Sequence, residues 1–171
     1  MNTNKPQVVL ENAELIALKM TAHKIPRSTI DKVNLNHSVF KSVDIHLSGI
    51  DESSFVESEW RKCNLVDSFI ADSDFTKCKM HQLDMNGAGF TRVKFVDATL
   101  KDIDFSFAIM IGVDFSGATL VRVNFSGVNF DYASMDFSNT KFIDCRMPMA
   151  FAKLLNLTDE QLDGLLDEPI S

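Results

Sequence analysis

Every fifth residue from Leu10 onward is apolar. The series runs Leu10, Leu15, Met20, Ile25, Ile30, Leu35, Phe40, Ile45, Ile50, Phe55, Trp60, Leu65 and Ile70. It continues Phe75, Met80, Met85, Phe90, Phe95, Leu100, Phe105, Met110, Phe115, Leu120, Phe125, Phe130 and Met135. These are 26 consecutive matches in a chain that is 45% hydrophobic, so composition alone does not produce them. Two residues before each lies a series of mostly small side chains, among them Ala13, Ser28, Ser38, Ser48, Ser58, Cys63, Ser68, Cys78, Ala88, Ala98, Ala108 and Ala118. The residue between the two series is often Asp or Asn, as at Asn34, Asp44, Asn64, Asp74, Asp104, Asp114 and Asn124. A period of five fits neither a helix at 3.6 residues per turn nor a strand at 2.0. It fits a coil in which each five-residue unit makes one short side and a turn, with the large and the small residue pointing inward. Four sides close a square coil of twenty residues, and successive coils stack about 4.8 Å apart, as hydrogen-bonded strands do.

Residues twenty apart then lie one above another. Phe55, Phe75, Phe95 and Phe115 form an aromatic ladder, and Ile30, Ile50, Ile70, Phe90 and Met110 form a second column. Each such side chain contributes roughly 1.5–3 kcal/mol on burial, which makes the ladders the main stabilising element. After Met135 the frame fails, and a shift of two restores it. Phe137, Phe142 and Met147 become the large inward residues, with Thr140 and Cys145 at the small position. A two-residue bulge or small loop is expected near Asp131 to Asp136, either as a packing adjustment or to re-aim side chains for recognition. The repeat ends at Pro148. Thr158 and Gln161 have the spacing of a helix start, with Asp159 and Glu160 near its positive end. Leu162, Leu165 and Leu166 then fall on one helical face, preceded by Leu154, Leu155 and Leu157. A terminal coil needs covering, so this segment reads as a cap or as a dimer contact.

Units such as Val113-Asp114-Phe115-Ser116-Gly117, Ala118-Thr119-Leu120 and Val123-Asn124-Phe125-Ser126-Gly127 resemble the pentapeptide-repeat family, whose consensus is A(D/N)LXX. The resemblance covers about residues 8 to 149. It implies an all-β solenoid, a right-handed quadrilateral β-helix, with a short C-terminal α-helical cap. The expected organisation is a tail over 1–7, the β-helix over 8–149 and a cap or dimerisation segment over 150–171. Residues 8–27 are less regular, with Leu18 and His23 at the small position, so a helix over 9–20 is an alternative there.

The chain has 171 residues, with 17 basic and 24 acidic side chains and a net charge of −7. That length suits one domain or one short array. No apolar run approaches a membrane span, and Met1 to Glu11 lacks a secretory pattern. Three dispersed cysteines form no disulfide framework, so a cytoplasmic location is expected. The acidic balance argues against direct nucleic-acid or membrane partners. Charge is uneven between sides. The first side carries Glu11, Asp31, Asp51, Glu52, Asp72 and Asp131 against Lys32 and Arg92, and the second Glu14, Glu57, Asp74, Asp97 and Asp114 against Lys77 and Lys94. The third carries Lys19, Lys41, Arg61, Lys62, Lys79, Lys101 and Arg122 against Glu59 and Asp102, and the fourth Asp44, Asp67, Asp84 and Asp104 against Lys24 and Arg27.

Catalytic chemistry has no visible home. His23, His37, His46 and His81 show no metal-ligand spacing, Cys63 and Cys78 fall inward, and no phosphate loop or nucleophile elbow is present. No enzyme activity, cofactor or metal is expected. Phe69, Phe107, Ile109 and Ile111 are apolar in outward positions, which marks a contact surface. The expected function is a non-catalytic protein-interaction rod with a scaffold or regulatory role. The family resemblance implies an alternative, a DNA mimic that binds a type II topoisomerase (DNA gyrase or topoisomerase IV) through an acidic face of Asp31, Asp51, Glu52 and Asp72. Its dimer would form through the C-terminal segment. A modest net charge, one basic side and the absence of long inserted loops weigh against the mimic.

Overall fold

The structure, a computed structural model, describes residues 8–131 and 133–167. Its construction starts at the corners. In every unit from Asn12 to Gly127, the residue two after the large inward one has positive φ, as at Asn12 (49°), Asp72 (47°), Phe107 (58°) and Gly117 (69°). Side chains other than glycine disfavour this left-handed region, so neighbouring coils must enforce it. They do so through the backbone: Asn12 N–H donates to the Asp31 carbonyl at 3.0 Å, and His37 N–H to that of Val56 at 2.9 Å. The Asp or Asn before each large residue closes the turn from the other direction. Its Oδ1 accepts the N–H two residues on, at 2.8 Å for Asp74 and Thr76, 2.8 Å for Asp114 and Ser116, and 3.0 Å for Asn64 and Val66. The recurrent carboxylates are thus turn-formers.

Successive coils pair in parallel, twenty residues apart. The first side is a seven-stranded sheet containing Val9–Glu11, Thr29–Asp31, Gly49–Asp51, Phe69–Ala71, Gly89–Thr91, Ile109–Ile111 and Asn129–Phe130. The third side is a second seven-stranded sheet, from Lys19–Thr21 to Lys141–Ile143. The second and fourth sides are held by single bridges such as Asp74 to Lys94 and Asn64 to Asp84. A β-solenoid results.

Inside, the ladders stack. Phe55, Phe75, Phe95 and Phe115 lie 4.7, 5.3 and 5.2 Å apart between ring centroids, and Phe40 lies 4.0 Å from Trp60. The small positions are also paired. Ser48, Ser53 and Ser73 hydroxyls accept the N–H groups of Ser28, Val33 and Ser53 in the coil before, at 2.9, 3.1 and 3.2 Å. Buried polar atoms on the small columns therefore have partners.

Three expectations change. Residues 9–20 do not form the alternative helix. Val9–Glu11 pairs with Thr29–Asp31 and Glu14 bridges Asn34, because the next coil offers each amide a partner. Leu10, Leu15, Met20 and Ile25 are only half-buried there, and His23 is exposed. The two-residue insertion lies where a small loop was expected, between Asp131 and Asp136, but it takes in Met135, so the inward frame ends at Phe130. Met110 pairs with Phe130, but Asp114 pairs with Asp136, and Phe137 stacks on Phe115 at 5.1 Å. Met135 belongs to the intervening loop, where Ser134 Oγ accepts the Gly112 N–H at 2.8 Å. Phe137, Phe142 and Met147 continue the core, with Thr140 and Cys145 buried at the small position.

The cap is the third change. Helix α1 (Met149–Leu154) and helix α2 (Asp159–Asp163) follow the repeat, and Thr158 with Gln161 forms a capping box on α2. Leu162 packs on the core from α2, but Leu165 and Leu166 lie on no helix. They belong to the strand Leu165–Asp167, which pairs in parallel with Cys145–Met147, and so they face opposite ways: Leu165 is buried and Leu166 is exposed. The open sheet edge offered backbone partners that a longer helix would have left unpaired.

Candidate partner surface

The outward residues of the first side form rows about 4.8 Å apart. Register places Phe69, Gly89 and Ile109 in one column and Ala71, Thr91 and Ile111 in the next. Phe107 occupies the preceding corner column with Gly127. The exposures are 55% for Phe69, 67% for Phe107, 50% for Ile109 and 44% for Ile111. Glycines accommodate both rings. A Cβ at Gly89 would lie 3.1 Å from the Phe69 ring, and one at Gly127 would lie 2.7 Å from that of Phe107. Phe107 is the most unusual of these residues. An aromatic side chain sits at φ 58°, where Asn or Gly is preferred, and presents most of its ring to solvent. Local preference and burial both oppose a Phe here, which is how sites kept for function depart from folding rules.

Leu47, at a corner three coils below Phe107, is also 44% exposed, though Asp67 and Gly87 stand between the two in that column. A scan of the corner column (Arg27, Leu47, Asp67, Gly87, Phe107, Gly127) would have found it. From Phe69 to Ile109 and from Phe107 across to Ile111 the patch measures roughly 10 by 13 Å. That is on the order of 100 Å², enough for the apolar centre of a contact but a fraction of the ~800 Å² each partner buries in a standard interface.

The predicted acidic residues lie on the same side, nearer the amino end. Asp31 and Asp51 are on adjacent rungs, with Glu52 at the corner, and carboxylate oxygens of the three come within 4.8 Å of one another. Lys32 supplies their cation, 3.5 Å from both Asp31 and Glu52. Asp72 takes two 2.6 Å bonds from the Arg92 guanidinium, which holds its carboxyl below the usual range. Arg122 does the same for Asp102, and Ser138 for Asp136. Carboxylates depressed in this way stabilise the fold above about pH 4, and that contribution disappears as pH falls through the folded-state values. Thermal midpoints measured from pH 7 to pH 2.5 are therefore expected to be flat above pH 5 and to drop below pH 4.

The thiols of Cys63, Cys78 and Cys145 are free and buried, and burial pushes all three up, away from the reactive thiolate. Each histidine except His23 sits beside one carboxylate: His37 by Glu57, His46 by Asp44 and His81 by Asp102. Clefts at the cap, one lined by Arg122, Asn124, Asp144 and Arg146 and one by Asn139, Lys141, Thr158 and Glu160, contain neither His nor Cys. Among the described residues no helix is long and apolar enough to cross a membrane.

Comparison with known proteins places this architecture. The family model for pentapeptide repeats matches residues 70–106 and 108–147, in eight copies. No curated protein sequence matches the chain. Among solved structures, the chain is similar to HetL, a pentapeptide repeat protein involved in heterocyst differentiation regulation from Nostoc sp. strain PCC 7120. Identity is 11% over 81% of this chain and 86% of that one, with a TM-score of 0.36. It is similar to QnrB1, a plasmid-mediated fluoroquinolone resistance protein, at 14% identity over 91% and 93% with a TM-score of 0.40. A third similar structure is Rfr23 from Cyanothece 51142, at 14% identity over 75% and 90% with a TM-score of 0.39. Likenesses this low transfer no partner to this chain. The five-residue repeat, the square coil it builds and the matched segments together make this chain a member of the pentapeptide-repeat family.

Proposed function

We propose that this protein is a non-catalytic interaction rod whose first side, centred on Phe107, Ile109 and Ile111, seats a protein partner. The observation that carries this reading is Phe107, exposed at a corner whose backbone disfavours it and beside two further exposed apolar residues on the same coil. Soluble surfaces seldom gather apolar side chains in this way without a contact to make. The buried thiols and singly paired histidines offer no nucleophile–base pair, which supports a role without catalysis. Asp67 and Asp131 flank the patch, and Asp72 is already paired with Arg92, so the fitting partner surface is an apolar knob with a Lys or Arg toward Asp67 and Asp131.

Phe107→Asn and Ile109→Asp test this separately from folding. Asn suits the left-handed corner, so Phe107→Asn is expected to hold stability within about 1 kcal/mol. In affinity capture with the purified protein as bait, a partner retained by the wild type is expected to be lost with either variant. The same partner should persist with Thr119→Asp on the opposite side. A partner lost with Thr119→Asp and kept with Ile109→Asp would reject the assignment.

A second reading, a DNA mimic acting on a type II topoisomerase, draws on the stacked carboxylates of Glu11, Asp31 and Asp51. Lys32 neutralises part of that column, and Arg92 neutralises Asp72 at the adjoining corner. No inhibition of gyrase supercoiling is therefore expected at protein concentrations up to tens of micromolar. Inhibition that disappears with Asp51→Asn would favour the mimic instead.

A further inference from the structure

Two columns of charge run along opposite sides of the rod. On the third side, Lys41, Arg61, His81 and Lys101 occupy one column on four successive coils, with Lys62 at the corner beside Arg61. Among the described residues, Lys41, Lys62 and Lys101 make no ion pair within 4 Å. Arg61 lies 3.9 Å from Glu59 and His81 lies 3.4 Å from Asp102, so the lysines are the unanswered charges of this column; like charges on nearby rungs weaken a sheet, and a facing anion relieves them. On the first side, Glu11, Asp31 and Asp51 form a column of the same pitch, with Glu52 at the corner beside Asp51. Lys32 serves Asp31 and Glu52, while among the described residues Glu11 and Asp51 make no ion pair within 4 Å.

Pitch selects the occupant. Same-face carboxylates along a single strand lie about 6.6 Å apart and fall out of step with the cationic column. Carboxylates stacked across coils stay in step, and a second copy of this chain carries them. Around a square coil the chain runs in opposite directions on the first and third sides. When the first side of one rod meets the third side of another, their strands run the same way if the rod axes are antiparallel. In that arrangement Asp51 and Glu52 of one rod face Arg61 and Lys62 of the next. Glu11 then faces Lys101, Asp31 faces His81, and Phe69 faces Val39.

We infer that rods of this protein associate side by side and antiparallel, through the carboxylate column of one and the cationic column of the next. The contact joins unlike sides, so it is heterologous and can repeat from rod to rod. It spans five coils, about 19 Å, which is smaller than stable interfaces; the association is therefore weak and salt-dependent. Phe107, Ile109 and Ile111 lie beyond the overlap, while Phe69 and Leu47 lie within it, so the two contacts share only the lower part of the first side.

Sedimentation velocity of the full chain at 20 mM and 300 mM NaCl tests it. The wild type is expected to show a weight-average mass that rises with concentration at 20 mM salt and returns to the monomer at 300 mM. Arg61→Glu with Lys62→Glu, and separately Asp51→Lys with Glu52→Lys, should each weaken association at least tenfold. All four positions are exposed, and unchanged circular dichroism and melting would confirm folding. Mixing the two variants restores opposite charges across the contact and should recover association to within about threefold of the wild type. A wild type that stays monomeric at 20 mM salt, variants that associate as the wild type does, or folded variants that fail to recover on mixing would each overturn the proposal.

Discussion

Replacing Phe95 by Ala should cost about 3–5 kcal/mol and lower the thermal midpoint by about 10 °C. Phe95 has no solvent exposure, stacks on Phe75 at 5.3 Å and on Phe115 at 5.2 Å, and meets Phe90 and Phe105 near 6.2–6.3 Å. Its removal opens a void that backbone hydrogen bonds between coils on both sides prevent from collapsing. In a one-dimensional array each coil is stabilised mainly by its neighbours, so a break in the middle weakens both halves. Leu15→Ala, at the half-buried amino end, should cost about 1 kcal/mol because less apolar surface is lost there. Calorimetry of the two variants decides it. A smaller loss at Phe95 than at Leu15 would mean that the aromatic column does not hold the rod together.

Gly164→Ala is the second large effect. A Cβ at Gly164 would collide with the Phe142 carbonyl oxygen, which is backbone and cannot swing aside. The conformation of Gly164, φ −84°, suits any residue, so the glycine is there for space. Its own carbonyl accepts the Cys145 N–H at 3.1 Å and starts the pairing of Leu165–Asp167 with Cys145–Met147. Forcing a methyl group into this contact costs about 1–3 kcal/mol and peels the cap strand from the sheet. Hydrogen exchange at the Cys145 amide should then run roughly 10–100 times faster, while amides in the coil of Phe75 keep their protection. Unchanged exchange at Cys145 would show that the cap does not depend on this close approach.

Periodicity made the coil legible because one rule, a large apolar residue every fifth position, acts at every turn from Leu10 to Phe130. Coil closure at twenty residues followed from the same rule, and Phe137, Phe142 and Met147 kept it after the insertion. Met135 was misread because an apolar residue in a loop resembles one on a ladder until pairing partners are known. The amino end was ambiguous since Leu18 and His23 break the small-residue series, yet backbone pairing with the next coil outweighs side-chain preference. At the cap, Leu162, Leu165 and Leu166 fit a helical face in sequence, but a free sheet edge and a close-packed glycine are tertiary facts that no local spacing encodes. The proposed partner surface was partly visible. Outward apolar residues could be counted, whereas the left-handed backbone under Phe107 and the glycines beneath both rings emerge only when coils are stacked.

Site-specific photocrosslinking tests the central claim, that the first side is where a partner sits, most directly. A photoreactive phenylalanine analogue is placed at position 109 in one protein and at position 119, on the opposite side, in another. Both positions are outward on flat strands, so neither substitution disturbs the core. The account predicts a discrete crosslinked adduct from position 109 that Phe107→Asn abolishes, and none from position 119. Adducts from position 119 alone, or equal labelling from both, would contradict it.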